Sequence, residues 1–254
     1  MRAKAVWISA AWIIAALVFN AGIYFVQGQQ KALEFLTGYV IELSLSIDNL
    51  FVFFLIFSHF KVDASQQSKI LSWGVMGAQL MRAVFILGGV ALLQHLSWVV
   101  YAFGALLVFS GFKLFVNDDK SVDLDQNVVL RFLKRLNLSS FLIVLITVEM
   151  ADLVFAVDSI PAVLAVTKDP FIIYSSNIFA ILGLRAMYFV LSPVIDKFAY
   201  LHYTLGIILV FVGGKMLADH FYQMPIGYAL GFIVLVLTIS TAISLLMNKD
   251  KKQE

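Results

Sequence analysis

Glu149, Asp152 and Asp158 stand close together in the stretch Glu149-Met-Ala-Asp-Leu-Val-Phe-Ala-Val-Asp-Ser-Ile-Pro161, inside a run over 138–166 that is otherwise almost wholly apolar. A run of that length is enough to cross a bilayer, which takes about 20 residues. An acid at bilayer depth costs on the order of 2.5–3.5 kcal/mol on insertion scales. Three in one segment therefore need compensation, and a bound cation, a buried base or protonation could each supply it.

A second group has the same form. Glu42-Leu-Ser-Leu-Ser-Ile-Asp48-Asn49 parallels Asp152-Leu-Val-Phe-Ala-Val-Asp158-Ser159: an acid, five residues, an acid and a small polar side chain. On a helix, seven residues bring Glu42 and Asn49 to one face and Asp152 and Ser159 to another, while the second acid falls about 120° away. Pro161 lacks an N–H for the Val157 carbonyl and is expected to kink the helix, freeing carbonyls beside Asp158. The first group has Phe51 at that position, so a break there would need another cause, such as Ser44 and Ser46. Carboxylates, an amide, a hydroxyl and freed carbonyls form a hard, oxygen-rich set, suited to Mn²⁺, Mg²⁺ or Ca²⁺. The candidate metal-handling residues are Glu42, Asp48, Asn49, Glu149, Asp152, Asp158 and Ser159. Arg82 and Arg185 are candidate charge partners, and two arginines do not neutralise five acids. Met150 is read as packing.

The elements that must position these residues are membrane helices. Of 254 residues, 61% are hydrophobic, and the mean hydropathy is +0.93, which marks an all-α integral membrane protein. Zero cysteines exclude disulfides, zinc–thiolate sites and thiol chemistry. Hydropathy gives about eight spans, near 5–26, 33–57, 70–93, 97–116, 138–166, 171–193, 201–218 and 225–247. The first is read as a retained span, too long for a signal-peptide core.

The expected organisation is a single transmembrane domain, 1–254, built on two three-helix copies. Repeat 1 covers about 33–116 and repeat 2 about 138–218, with a cytoplasmic linker at about 117–137 and flanking spans 5–26 and 225–247. Besides the acidic motifs, Met81-Arg82-Ala83 matches Leu184-Arg185-Ala186. Gly104-Ala-Leu-Leu-Val-Phe-Ser-Gly111-Phe-Lys113 likewise matches Gly206-Ile-Ile-Leu-Val-Phe-Val-Gly213-Gly-Lys215. Because each copy has an odd number of spans, the second enters from the opposite side, the inverted-repeat plan of many transporters.

Charge sets the expected orientation. One side holds Arg2, Lys4, Lys61, Lys69, Lys120, Arg131, Lys134, Arg135, Lys197, Lys249, Lys251 and Lys252, while the other holds only Lys31 and Lys168. Both termini are therefore expected in the cytoplasm of a cell whose inner membrane carries the protein. The linker opens with Asp118, Asp119, Asp123 and Asp125, and its basic end is read as a topology determinant. Lys113 and Lys215 are read as snorkelling lysines, Asn20 as a helix-packing hydrogen bonder, and the four histidines as interfacial.

These motifs, above all Glu42 to Asn49, Glu149 to Pro161 and Ile181-Leu-Gly-Leu-Arg-Ala-Met-Tyr188, resemble the TerC family of integral membrane proteins, in particular its Alx-like members, from the second span onward. The resemblance implies a manganese exporter of the LysE-type transporter superfamily, with Mn²⁺ as transported ion rather than a resident cofactor. The family is named for tellurium resistance, for which this cysteine-free chain offers no evident chemistry. Acids that alternate between metal and protons would couple efflux to proton antiport. Expected partners are a divalent metal ion and the lipid bilayer, with no nucleic acid; an oligomer or contact with secretion machinery is left open. Two other readings stand beside export of Mn²⁺: export of another divalent cation such as Ca²⁺, and a membrane scaffold assisting metallation or secretion of partner proteins. An intramembrane enzyme is disfavoured, because no Gly-x-Gly-Asp motif, His-Glu-x-x-His pair or serine elbow occurs.

Overall fold

The structure, a computed structural model, describes residues 2–96, 98–116, 139–191, 201–219 and 221–250, with the side chains of 2, 3, 47, 48, 185, 191, 201, 202 and 245–250 outside the description. The linker readings at 117–137 and those on Lys197, His220, Lys251 and Lys252 fall outside the described residues. The side chains of Asp48, Arg185 and His202 do so too.

Among the described residues there are eight helices: α1 (Arg2–Gln27), α2 (Gln29–His59), α3 (Ala64–His95), α4 (Val99–Val116), α5 (Ser140–Leu164), α6 (Pro170–Leu191), α7 (Leu201–Ala218) and α8 (Ile226–Asp250). Seven are long and apolar enough to cross a membrane, and α7 is the shorter apolar one. Helices bond their backbone groups within their own segment, which suits a medium without water. The chain is a multi-pass integral membrane protein.

The turns follow from local chemistry. Gly28 joins α1 to α2 at φ 91°, a left-handed conformation that glycine adopts without strain. Ser139 caps α5 by accepting from the Leu142 N–H. Asp169 accepts from the Phe171 N–H at 3.0 Å, and Pro170 opens α6, where its missing N–H has no cost.

Pro161 does not break α5. The helix runs unbroken from Ser140 to Leu164, contrary to the expectation from sequence. Pro161 lies in the last turn, so only the bond to the Val157 carbonyl is lost before the helix ends, and the Ala165 N–H still bonds the Pro161 carbonyl at 2.9 Å. The first acidic helix is unbroken too: the Ser44 hydroxyl donates back to the Val40 carbonyl at 2.6 Å within α2. Asn20 also departs from expectation, since its Oδ1 is buried with no partner among the described residues. The interface that α1 makes is largely apolar and aromatic, built from Ala16, Ile23, Phe35 and Tyr39 with Phe19 and Phe179 at its edge.

Two apolar clusters fill the interior at different depths. One gathers Leu50, Phe53, Phe57, Ile70, Leu71, Val144 and Val148, near the end of α2 and the starts of α3 and α5. The other gathers Ile41, Leu45, Ile86, Ala156, Ile160, Leu164 and Met216, toward the opposite end. The closest backbone approach is between α4 and α7. A Cβ at Gly111 would lie 2.7 Å from the Gly206 carbonyl oxygen, and one at Gly213 2.7 Å from that of Gly104. Gly104 thus meets Gly213 and Gly111 meets Gly206, so the two helices cross antiparallel through reciprocal glycine contacts, the small-residue packing favoured in membranes.

Candidate functional site

Between the two apolar clusters lies Arg82 of α3, which is fully buried. Its Nη1 donates to Glu42 Oε1 of α2. Its Nη2 donates to Asp152 Oδ1 of α5 at 3.2 Å and its Nε to Asp152 Oδ2 at 3.4 Å. This is the side-by-side fork that a guanidinium makes with a carboxylate. Nη1 also donates to Ser159 Oγ at 3.4 Å. Three helices are thus joined through one side chain.

The seven-residue spacing acts as helix geometry requires. Asp152 and Ser159 sit on one face of α5 and share Arg82, and Glu42 and Asn49 are both buried on α2. Asp158, offset around the helix, turns to α4, where it accepts from Ser110 Oγ at 2.7 Å. Ser110 was not singled out from sequence; its only signal is a hydroxyl inside an apolar segment, and its counterpart in the matched stretch is Val212.

Glu149 takes a third position. A Cβ at Gly77 would lie 2.4 to 2.8 Å from its carboxylate atoms, so the bare glycine surface of α3 is the seat on which that carboxylate rests. Nothing in the linear sequence links Gly77 to Glu149. Glu149 and Asp152 line a cavity of about 20 Å³ with Phe53, Leu71, Gly74 and Val148, room for one water-sized occupant. Met150 is 40% exposed and points away from this group.

The charges are unequal. Among the described side chains inside the helices, Glu42, Glu149, Asp152 and Asp158 stand beside the single guanidinium of Arg82. Among the described residues, Glu42 Oε2 and Glu149 Oε2 are buried without a hydrogen-bond partner, as are Ser46 Oγ, Asn49 Nδ2 and both amide atoms of Gln79. An unsatisfied buried carboxylate oxygen is costly unless it is protonated or meets a cation. Among the described residues no three of His, Cys, Asp and Glu converge closely enough to hold a metal ion. Arg82 stands where Glu42 and Asp152 would otherwise meet. Of the candidate residues, the structure therefore joins Glu42, Asp152 and Ser159 directly, with Asp158 and Glu149 each held by another helix.

At the far end of the bundle, Lys215 donates to the Ala165 carbonyl at 3.2 Å, so it reaches into the protein rather than out to a headgroup. Lys113 is exposed at the end of α4.

The comparisons with known proteins agree with this architecture. A model of the "Integral membrane protein TerC family" matches residues 27–253. A Salmonella typhi protein named "Putative membrane-bound redox modulator Alx" is 41% identical, covering 99% of this chain and 87% of the relative. The Escherichia coli (strain K12) protein of the same name is 40% identical, over 98% of this chain and 86% of the relative. A Myxococcus xanthus membrane protein, STKORF319, is 41% identical over 95% of this chain and 82% of the relative. No solved structure matches. With a family model spanning most of its length and relatives above 30% identity end to end, the chain belongs to the TerC family of integral membrane proteins.

Proposed function

We propose that this protein moves a divalent cation, Mn²⁺, out of the cell across the inner membrane, with both termini in the cytoplasm, and that it is not an enzyme. The observation that carries the reading is that, among the described side chains at mid-bundle depth, two buried carboxylates, Glu42 and Asp152, and two half-buried ones, Glu149 and Asp158, outnumber Arg82. Among the described side chains one guanidinium stands against four acids, and even two arginines do not neutralise the five acids of the motifs, so the remainder need an exchangeable cation, either protons or a metal ion. Manganese and the outward direction come from the family resemblance, and the oxygen-only donor set suits a hard dication.

Arg82 gives the acids a counter-ion within the protein. Clasped by Glu42 and Asp152, it holds α2, α3 and α5 together. A dication arriving at Glu149 and Asp152 would compete with the guanidinium for the same carboxylate oxygens, and its charge would displace protons from the remaining acids, coupling efflux to proton entry. Asp48, Asn49, Asp158 and Ser159 complete the proposed set. The reciprocal meeting of Gly104 with Gly213 and Gly111 with Gly206 supports reading α2–α4 and α5–α7 as two copies related by a two-fold axis in the membrane plane.

The test is cellular manganese content with Asp48→Asn and Asp158→Asn, followed by Mn²⁺ flux from liposomes containing the purified protein. Both variants should accumulate manganese. Unchanged export in both would remove the site assignment, and flux of Ca²⁺ without Mn²⁺ would change the cargo. A scaffold acting on partner proteins would give no flux in liposomes. The relatives' names mention redox; with no cysteine in this chain, thiol exchange on the protein itself is excluded.

A further inference from the structure

A polar cavity of about 470 Å³ opens at the end of the bundle where α2, α4 and α6 begin and α5 and α7 end. Within its wall, Lys31 Nζ of α2 lies 2.9 Å from Glu34 Oε2 and 3.0 Å from Asp169 Oδ2 in the α5–α6 connection. The Thr167 hydroxyl of the same connection donates to Glu34 Oε2 at 2.6 Å. Glu34 is only 8% exposed, and its carboxylate is satisfied by Lys31 and Thr167 at Oε2 and by the Gln30 amide, which donates to Oε1 at 3.4 Å.

The floor of the cavity is apolar. Leu164 and Met216 line it, and both belong to the cluster that also holds Ile160 and Val163, between Ser159 and the cavity. Below that layer lies the Arg82 group. Glu34 and Glu42 are both on α2, eight residues apart, or about 12 Å of helical rise. Below the cavity α2 and α5 clasp Arg82 through Glu42 and Asp152, while at the cavity α2 is joined to the α5–α6 connection through Lys31, Glu34, Thr167 and Asp169. Water in the cavity is thus separated from the buried acids by one apolar layer. The upper contacts hold α2 against the α5–α6 connection and oppose its moving away from that layer. Lys31 and Asp169 are partly exposed, and the resulting screening makes their pairing weak enough to break and re-form.

We propose that Lys31, Glu34, Thr167 and Asp169 form the latch that closes the cation path at this end, and that the polar cavity is the mouth of that path. This rests on the transport reading above and goes beyond it by naming the gate.

The chain has no cysteine, so single introduced cysteines report access without background. Ala165→Cys marks the mouth, and Ala156→Cys, between Asp152 and Ser159 on α5, the depth of the Arg82 group beneath the apolar layer. A membrane-impermeant maleimide applied to this face of vesicles should label Ala165→Cys equally with and without the latch. Lys31→Ala should speed labelling of Ala156→Cys about tenfold by raising the open population, and Lys31→Asp combined with Asp169→Lys should restore the slow rate. If Lys31→Ala does not fold, Thr167→Val, which removes two hydrogen bonds (to Glu34 and from the Asp169 N–H) and no charge, should give a smaller acceleration in the same direction. Equal labelling of Ala156→Cys with the latch intact and broken would overturn the proposal. Labelling needs no cation flux, so failure of the latch and failure of the transport reading give separate results.

Discussion

Arg82 has a different energetic standing from an ordinary surface arginine. It is removed from water, and so are its partners Glu42 and Asp152. Truncating one member of such a group leaves the others charged and uncompensated, a cost of about 3–5 kcal/mol in buried pairs. Arg82→Ala should therefore lower the thermal midpoint in detergent sharply. Arg82→Gln combined with Glu42→Gln should lose less than the two single changes summed, because the double variant removes charge from both sides. Additive losses, read by tryptophan fluorescence on melting, would mean that the contact is not energetically coupled. Gly77 makes the contrasting case. An added Cβ meets only the far end of the Glu149 side chain, which can swing aside. Gly77→Ala should accordingly keep the melting midpoint close to that of the native protein while reducing Mn²⁺ flux in liposomes, since it moves the acid off its seat. A large drop in midpoint with normal flux would refute that role. At this scale the sequence was informative about which residues matter and silent about who meets whom. The costly acids stand out in any apolar run. The pairing of Glu149 with Gly77 and of Asp158 with Ser110 depends on helix contacts that no spacing along the chain encodes.

The helices themselves were readable because each is a long apolar run ended by polar or turn-forming residues. The eight expected spans fall on the eight described helices with ends moved by a few residues. Pro161 was misjudged because a proline's effect depends on how many carbonyls remain to be bonded after it, and α5 ends one turn later. Among element contacts, the α4–α7 seam is the least forgiving. At Gly111 the obstacle is the Gly206 carbonyl at 2.7 Å, a backbone atom that cannot rotate away. Gly111→Val should cost about 1–3 kcal/mol through overpacking, whereas Gly231→Ala, with nothing within 4 Å, should be neutral or stabilising by up to about 1 kcal/mol through helix propensity. Urea or thermal melts that rank these two the other way would contradict the close approach. The α5–α6 connection adds a pH dependence. Burial raises the Asp169 pKa, but its hydrogen bond and ion pair with Lys31 outweigh this and hold the carboxyl below its ordinary value. A lowered folded pKa means the contribution is present above the unfolded value of about 3.9 and is lost as pH falls through the lower folded one. The melting gap between the native protein and Asp169→Asn should stay level from about pH 8 to about pH 5 and close below about pH 4. A gap that persists at low pH would assign Asp169 a role that does not depend on its charge.

For the molecule as a whole, composition and hydropathy were enough to give class and span number, because a membrane imposes one solution on the backbone. The relation between the halves was suggested by motif matches, but the reciprocal glycine seam could be seen only in three dimensions. The lower and upper apolar clusters, lying on either side of Arg82 and its acids, have a further consequence in terms of voltage. Where both flanks exclude water, the transmembrane potential drops across the protein rather than through hydrated vestibules, and any charge crossing the site does electrical work. Moving one elementary charge through 100 mV involves about 2.3 kcal/mol, so carrying a dication outward against an inside-negative potential of that size costs about 4.6 kcal/mol. Two protons entering for each dication leaving would cancel that work, and efflux of this kind would run at a rate indifferent to an imposed potential.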